Sequence, residues 1–351
     1  MAVGNNSAET KGNTSAETTD NNRLGNTENQ DKLGRSHMLS QTRTLLITGV
    51  LFIGLVAVGA GSLFAGLHDA PTVVITQIRA PRLAMAVVGG AATGAAGVLL
   101  QEGMGNRLAV PEMLGVSSGA AAAICAVVVL GLPVPLVAHS AVALGGGLLA
   151  GLAVWWGART ARTAIEVLLV GAAVSSAAGA LVLIFVGSAG ETQLRALLRY
   201  LQGSLNELYW NDVTPTLIAL VVGLPFLWFL VPGLELLRLS DDTVRTLGAH
   251  PERLRGVILL VAAVLVALSV GPAGPLSWVG FLGPMLARLL TPHAGIRAWL
   301  PLGSIAGALI AVAADWLARS AFAPVETPVG GWTGVVAALV VIGVLVTGRR
   351  L

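Results

Sequence analysis

The side chains able to do chemistry are few in this chain, and their placement excludes whole classes of function. Nucleotide hydrolysis by a phosphate loop needs G-x-x-x-x-G-K-[ST], with a lysine directly after a glycine. Lys11 and Lys32 are the only lysines, and neither follows a glycine. Cys125 is the single cysteine and lies in an apolar block, so an internal disulfide is impossible. His37, His68, His139, His250 and His293 are scattered and make no metal-ligand spacing. No resident metal or cofactor is therefore expected. Asp315 and Glu102 are the main acids in or beside apolar segments, and two such acids do not make the run that a proton relay uses. No Ser/His or paired-Asp constellation stands out for catalysis within the membrane either, so the chain is expected not to be an enzyme.

What remains is a set of residues suited to docking. The longest polar stretch after the N-terminal one runs from Arg238 to Gly256, RLSDDTVRTLGAHPERLRG. Ser240 suits the N-cap of a short helix with Asp241 and Asp242 in its first turn, and Gly248 suits the left-handed residue that ends it. Val244 and Leu247 are expected on one side of it. A two-turn helix does not stand alone in water. It must rest on this chain's own helices or on a partner, and the residues leave both readings open.

The rest of the chain has to position these groups, and its composition says how. Of 351 residues, 55% are hydrophobic and 11% charged, against about 25% charged in soluble domains. Mean hydropathy is +0.80. Apolar blocks occupy 44–66, 82–101, 113–131, 136–156, 165–187, 213–232, 257–272, 276–291, 301–320 and 330–347. Crossing a bilayer takes about 20 residues, so the expected fold is an all-α integral membrane bundle of about ten helices in residues 41–351. Residues 1–40 are polar, with almost no large apolar side chain, and read as a disordered cytoplasmic tail. Gly90-xxx-Gly94 and Gly147-xxx-Gly151 are helix-packing signals, since small residues let backbones approach in lipid.

Net charge is +3, and no basic run is interleaved with aromatics, so nucleic acid is not an expected partner. The charge reads first as topology. With the N-terminus in the cytoplasm and ten spans threaded, most Lys and Arg fall inside and both termini are cytoplasmic. Arg79, Arg82, Arg195, Arg199 and Arg319 fall outside, or at outer helix ends, and need another reason to be there.

Three blocks supply one. RAPRLAMAVVGGAATGAAGVLLQEGMGNRLAVPEMLGVSSGAA, residues 79–121, resembles a pattern R-x-P-R-L…G-x-x-L-Q…N-P-L-A-x-P…L-G-[VI]-S-x-G-A. It matches at Arg79, Pro81, Arg82, Leu83, Gly97, Gln101, Asn106, Leu108, Ala109, Pro111, Leu114, Gly115, Ser117 and Gly119, and departs at Arg107 and Val110. Arg245-Thr246-Leu247-Gly248 is similar to an A-R-S-L-G loop. AGPLSWVGFLGPMLARLL, residues 273–290, is similar to A-G-P-I-x-F-V-G-L-x-x-P-H-x-x-R, with Met285 in place of the histidine, and residues 314–330 follow in the expected order. The chain thereby resembles the FecCD family over residues 44–351. These are the permeases of ABC importers for iron-siderophores, haem and vitamin B12.

The resemblance implies a type II importer fold of ten helices, working as a homodimer, or with a similar second permease subunit, in the bacterial plasma membrane. It implies two ABC ATPase subunits and an extracytoplasmic substrate-binding protein as partners, with ATP hydrolysis on the separate ATPase chain. Arg245, Thr246, Leu247, Gly248, Ala249, His250 and Pro251 would be the segment coupled to the ATPase. Arg79, Arg82 and Arg319 would dock acids of the binding protein; head-group anchoring, or pairing of Arg319 with Asp315 one turn earlier, is the simpler alternative. Ser175 and Ser176 would line the path between subunits, with Thr163 at a cytoplasmic gate near Arg162 to Ala164. The implied activity is import of an iron-siderophore-type compound by alternating access. Haem or cobalamin import on the same architecture, a secondary transporter and an intramembrane enzyme are the alternatives.

Overall fold

The computed structural model describes residues 42–64, 72–135, 138–161, 163–206, 208–323 and 325–346. The expected tail and Arg162 lie outside the described residues. Chain contacts divide the molecule into two units, Met1–Ile47 and Thr48–Leu351. In the first, the described residues 42–47 are the opening turns of helix α1 (Thr42–Phe64). All packing considered below lies within the second.

After α1 the chain enters one wide helical turn, Val74–Arg79, that runs without a break into α2 (Ala80–Gly103). Pro81 is the second residue of α2, directly after the wide turn. A short tight helical turn, Pro111–Leu114, leads to α3 (Val116–Val129) through Gly115, whose φ of +69° is what a glycine supplies. Then come α4 (His139–Gly157), α5 (Ala164–Ser188), α6 (Glu191–Leu201), α7 (Trp210–Phe226), α8 (Val231–Leu236) and α9 (Asp241–Thr246). Four more follow: α10 (Pro251–Ala273), α11 (Val279–Leu290), α12 (Ile296–Ser320) and α13 (Val329–Val346).

Among the described residues, seven helical segments are long and apolar enough to cross a membrane, and three shorter apolar helices stand at the other three expected spans. Two elements differ from the sequence reading. The second span begins eight residues earlier than its apolar block, because Gln77, Arg79 and Pro81 look like a break and are instead helical. Helix α6 was not expected: it has eleven residues, is charged on one side and is too short to span. It is held by buried Leu197 and by Gln193, whose Nε2 donates to Val128 O at 3.0 Å at the end of α3.

Helix α2 is the centre of the bundle and packs on α10, α11 and α12. In lipid there is no hydrophobic drive between helices, so association rests on van der Waals fit and polar contacts. The fit here is backbone to backbone. A β-carbon on Gly90 would lie 2.7 Å from Gly307 O, one on Gly94 would collide with Gly303 O, and one on Gly97 with Gly280 O. In the isolated chain α1 and α5 bury only 11% of their apolar windows, against 72% for the α2 segment.

Gly97→Leu should therefore prevent assembly of the bundle: its side chain has no room and the obstacle is backbone, which costs several kcal/mol, above the roughly 1–3 kcal/mol of ordinary overpacking. Gly145→Leu meets nothing within 4 Å and should leave the protein intact. Size-exclusion profiles of the two detergent-extracted variants check this, with equal monodisperse peaks counting against the packing argument.

Candidate functional site

Polar side chains gather at the two ends of the bundle. At one end Arg82, 6% exposed, is built into the first turn of α2. Its Nε donates to Asp315 Oδ1 at 2.6 Å, and one terminal nitrogen donates to Glu326 Oε2 at 2.9 Å and to the side-chain oxygen of Asn206. Asp315, 1% exposed on α12, also receives Arg319 from one turn later, Nη2 to Oδ2 at 3.3 Å. Arg319 donates as well to Ser62 through its carbonyl and hydroxyl, and Arg79 donates to Leu63 O at 2.7 Å. An ion pair taken from water must be hydrogen-bonded throughout to be stable, and Asp315 meets that condition by serving two guanidiniums.

The three arginines singled out from the sequence thus come together, around a cavity of about 520 Å³ that Glu326 and Trp316 also line. Among the described residues the cluster brings together the guanidiniums of Arg79, Arg82 and Arg319 and the carboxylates of Asp315 and Glu326. Arg319 Nε is buried and has no hydrogen-bond partner among the described residues. Asn206 and Glu326 were not foreseen. They reach Arg82 across 124 and 244 residues of sequence, and no local pattern marks them.

At the other end α9 forms as expected. Ser240 Oγ accepts from Thr243 N at 3.3 Å, and Asp241 and Asp242 occupy the first turn. Gly248 has φ +81°, and Gly248 N to Arg245 O (3.0 Å) with Ala249 N to Val244 O (3.1 Å) close a Schellman motif. One expectation is corrected. Val244 and Leu247 do not share a side: Val244 is fully buried, whereas Leu247, the residue before the left-handed glycine, is 62% exposed. The helix has turned its hydrophobic anchor inward and its terminal leucine outward.

Ion pairs fasten α9 to the start of α10. Arg255 grips Asp241 with two bonds, 2.8 and 2.9 Å, and Arg245 bridges Asp242 (3.2 Å) and Glu252 (2.5 Å). The Arg255 hydrogen bonds hold the Asp241 carboxyl below the ordinary aspartate range, even against partial desolvation. A carboxyl whose pKa is lower folded than unfolded stabilises the fold above its unfolded pKa, and that contribution disappears as pH falls through the folded pKa. Thr246 Oγ1 donates to Thr243 O at 2.7 Å, His250 precedes α10 and Pro251 is its first residue. The exposed edge of the loop is Arg245, Thr246, Leu247, Gly248 and His250, with Ala249 half-buried and Pro251 buried.

Along α5, Thr163 caps the helix by accepting from Glu166 N at 3.3 Å. Ser176 is exposed. Ser175 bonds not its own helix but Glu112 O, at 3.1 Å, in the 111–114 turn. That turn is the unforeseen joint of this region. Glu112 Oε1 accepts from Trp278 N at 3.1 Å, where Trp278 is held at φ +66°, the one non-glycine positive φ among the described residues. A β-carbon on Gly171 of α5 would collide with Met113 O, so the turn lies directly on the α5 backbone. Among the described residues no group of three or more His, Cys, Asp and Glu could hold a metal ion.

A family model described as the FecCD transport family matches residues 43–347. The chain is 33% identical over 316 residues to the ferric enterobactin transport system permease protein FepG of Escherichia coli (strain K12), covering 84% of this chain and 93% of that one. It is 34% identical over 277 residues to the vitamin B12 import system permease protein BtuC of Vibrio cholerae serotype O1, covering 78% and 82%. Its fold matches a solved transporter, described as of the metal-chelate ABC type and inward-facing, with TM-score 0.78 and 27% identity over 86% of this chain and 99% of that one.

Asp315→Asn should destabilise the bundle by about 3–5 kcal/mol, because it leaves Arg82 and Arg319 buried beside a neutral amide. Glu235→Gln, at the exposed Arg297 pair (3.0 Å), should cost about 0–1 kcal/mol. Thermal unfolding in detergent separates them. Asp241→Asn should speed amide exchange through α9 at pH 7, and the difference from wild type should vanish at a pH acid enough to protonate Asp241 in the folded protein.

Proposed function

From the premise that the chain belongs to the FecCD transport family, we propose that it carries an iron-siderophore-type chelate into the cytoplasm. Members of this family are permease components of ABC importers, and the chain is a multi-pass membrane permease of that kind with the type II importer fold. For the cargo, the observation that carries the reading is the likeness to a solved transporter of metal-chelate type, 27% identical over 86% of this chain, beside 33% identity with the ferric enterobactin permease. Cobalamin import is the second reading, favoured by the vitamin B12 permease of Vibrio vulnificus, 30% identical over 91% of this chain and 96% of that one. The chain works in the bacterial plasma membrane, as one of two permease subunits, with ATPase subunits on the cytoplasmic side and a binding protein outside.

The geometry supports a division of labour. The exposed Leu247 and the Gly248 turn offer an apolar tip on a polar loop, the kind of knob an ATPase groove takes. Two ion pairs tie α9 to α10, and α10 packs on α2 and α4. A displacement of the loop therefore moves helices of the bundle rather than dissipating in a flexible segment. ATP binding on the partner then shifts the population between inward- and outward-open states through these contacts. At the opposite end three guanidiniums gathered around a cavity suit acids of the binding protein. Arg79 and Arg319 meet them at the cavity, and Arg82 holds the cluster together. Helix α5, little buried in one chain, has the surface to face a second subunit, with Ser175, Ser176 and Thr163 along the path.

In a strain lacking this gene, uptake of a radiolabelled ferric siderophore should fall while haem and cobalamin uptake persist; selective loss of cobalamin would establish the second reading instead. Gly248→Val should not restore uptake although it reaches the membrane. No atom lies within 4 Å of the new β-carbon, but a β-branched residue at φ +81° costs about 1–2 kcal/mol and reshapes the turn. Arg79→Glu should weaken binding-protein docking at low salt and lose that effect in high salt, where exposed charges are screened. Unchanged docking would return Arg79 to head-group anchoring.

A further inference from the structure

A second cavity, of about 440 Å³, opens where the end of α4, the start of α5 and the start of α10 converge. We propose that it is a binding site for the phosphate head group of an anionic phospholipid of the cytoplasmic leaflet. The leaflet assignment rests on the orientation adopted above; the site itself does not. Its walls are of two kinds. Trp155, Val167, Val257 and Leu259 are apolar, and Arg159, Arg253, Arg255 and Glu252 are charged.

The charges are not equivalent. Arg255 is spent on Asp241 and on Gly103 O, and Glu252 on Arg245. Arg159 and Arg253 form no ion pair with a carboxylate among the described residues, and both are exposed. The Arg159 guanidinium lies 4.0 Å over the Trp155 ring. Stacking in this way fixes its plane while its N–H edge stays free for a planar or tetrahedral oxyanion. Trp155 is itself held in place by α10, since its indole nitrogen would lie 3.3 Å from a β-carbon on Gly256. The result is two cations at the mouth of a partly apolar recess at a helix end, beside tryptophans of the kind that mark membrane interfaces.

The adjoining surface decides what kind of anion fits. Trp156, Leu152 and Leu149 are spaced four and three residues apart, so they share one face of α4. They are 70%, 45% and 69% exposed. This apolar stripe begins at Trp156, next in sequence to the cavity's Trp155, and runs toward the middle of α4. A soluble phosphate has no use for it, whereas acyl chains do. The occupant would also lie beside the fastening of α9, because Glu252 both lines the cavity and holds Arg245 at 2.5 Å.

The test is native mass spectrometry of the full-length chain in neutral detergent, titrated with dioleoylphosphatidylglycerol or dioleoylphosphatidylcholine. Wild type should retain the anionic lipid about tenfold more tightly than the zwitterionic one, and R159A/R253A should lose that preference. R297A, at an exposed paired arginine, should keep it, and an unchanged melting temperature of R159A/R253A shows that its fold is intact. Equal retention of both lipids, or full preference in R159A/R253A, overturns the proposal. So does displacement of the lipid by millimolar inorganic phosphate, which would make the site one for a soluble anion. So does loss of the preference once the ATPase is bound, which would make the two arginines part of that interface. Binding is read on the purified chain, so a failed uptake assay and a failed lipid preference remain separate results.

Discussion

Helices in a bilayer gain little by hiding apolar faces from one another, because the lipid is as apolar as they are. What holds this bundle is how near α2 comes to α11 and α12, at positions where Gly90, Gly94 and Gly97 meet the backbones of Gly307, Gly303 and Gly280. The buried ion pair between α2 and α12 depends on that approach. With α2 and α12 this close, Arg82 in the first turn of one reaches Asp315 near the end of the other at 2.6 Å, inside hydrogen-bond range. A single β-carbon between the helices would stretch that bond, leaving Arg82 to Glu326 and Asn206 and Asp315 to Arg319 alone. The glycines and the ion pair are one device: the first sets the distance, the second uses it.

The two ends of the bundle handle charge differently. At the α9 end the pairs are partly exposed, as with Arg245 and Glu252, and each is worth little alone. Their value is geometric, because two pairs, Arg245–Glu252 and Arg255–Asp241, fix the pose of α9 on α10. At the opposite end the charges are buried and costly to break. The α9 loop is therefore held as a unit on α10, while the buried pairs hold α2 and α12 in register.

The long apolar spans were legible because composition over about 20 residues is a property of the local sequence. So were Ser240 and Gly248 as the caps of α9, since caps are local chemistry. Helix α6 was not, because eleven residues with two arginines look like any loop until Leu197 finds its pocket. Leu247 was placed on the wrong side because the helix ends one residue too soon for a 3.6-residue period to hold. The resemblance brought Arg79, Arg82 and Arg319 forward as a group. It said nothing of Asn206, Glu326 or Glu112, whose partners lie more than a hundred residues away. Such pairs follow from the fold and leave no spacing to read.

Why the outer cluster is charged at all is a question the energetics can sharpen. A buried ion pair seldom stabilises more than an apolar replacement of similar volume, because desolvation offsets the attraction. If Arg82 and Asp315 served only to join α2 and α12, a leucine and an alanine would do. What the charged version adds is Arg319, held by the same carboxylate at the edge of the cavity with its Nε lacking a partner among the described residues. Asp315 is shared, so anything that draws Arg319 away strengthens its hold on Arg82, and anything that docks on the cavity is felt at α2. The same helix pair packs, through α2 and α10, toward the loop at the far end.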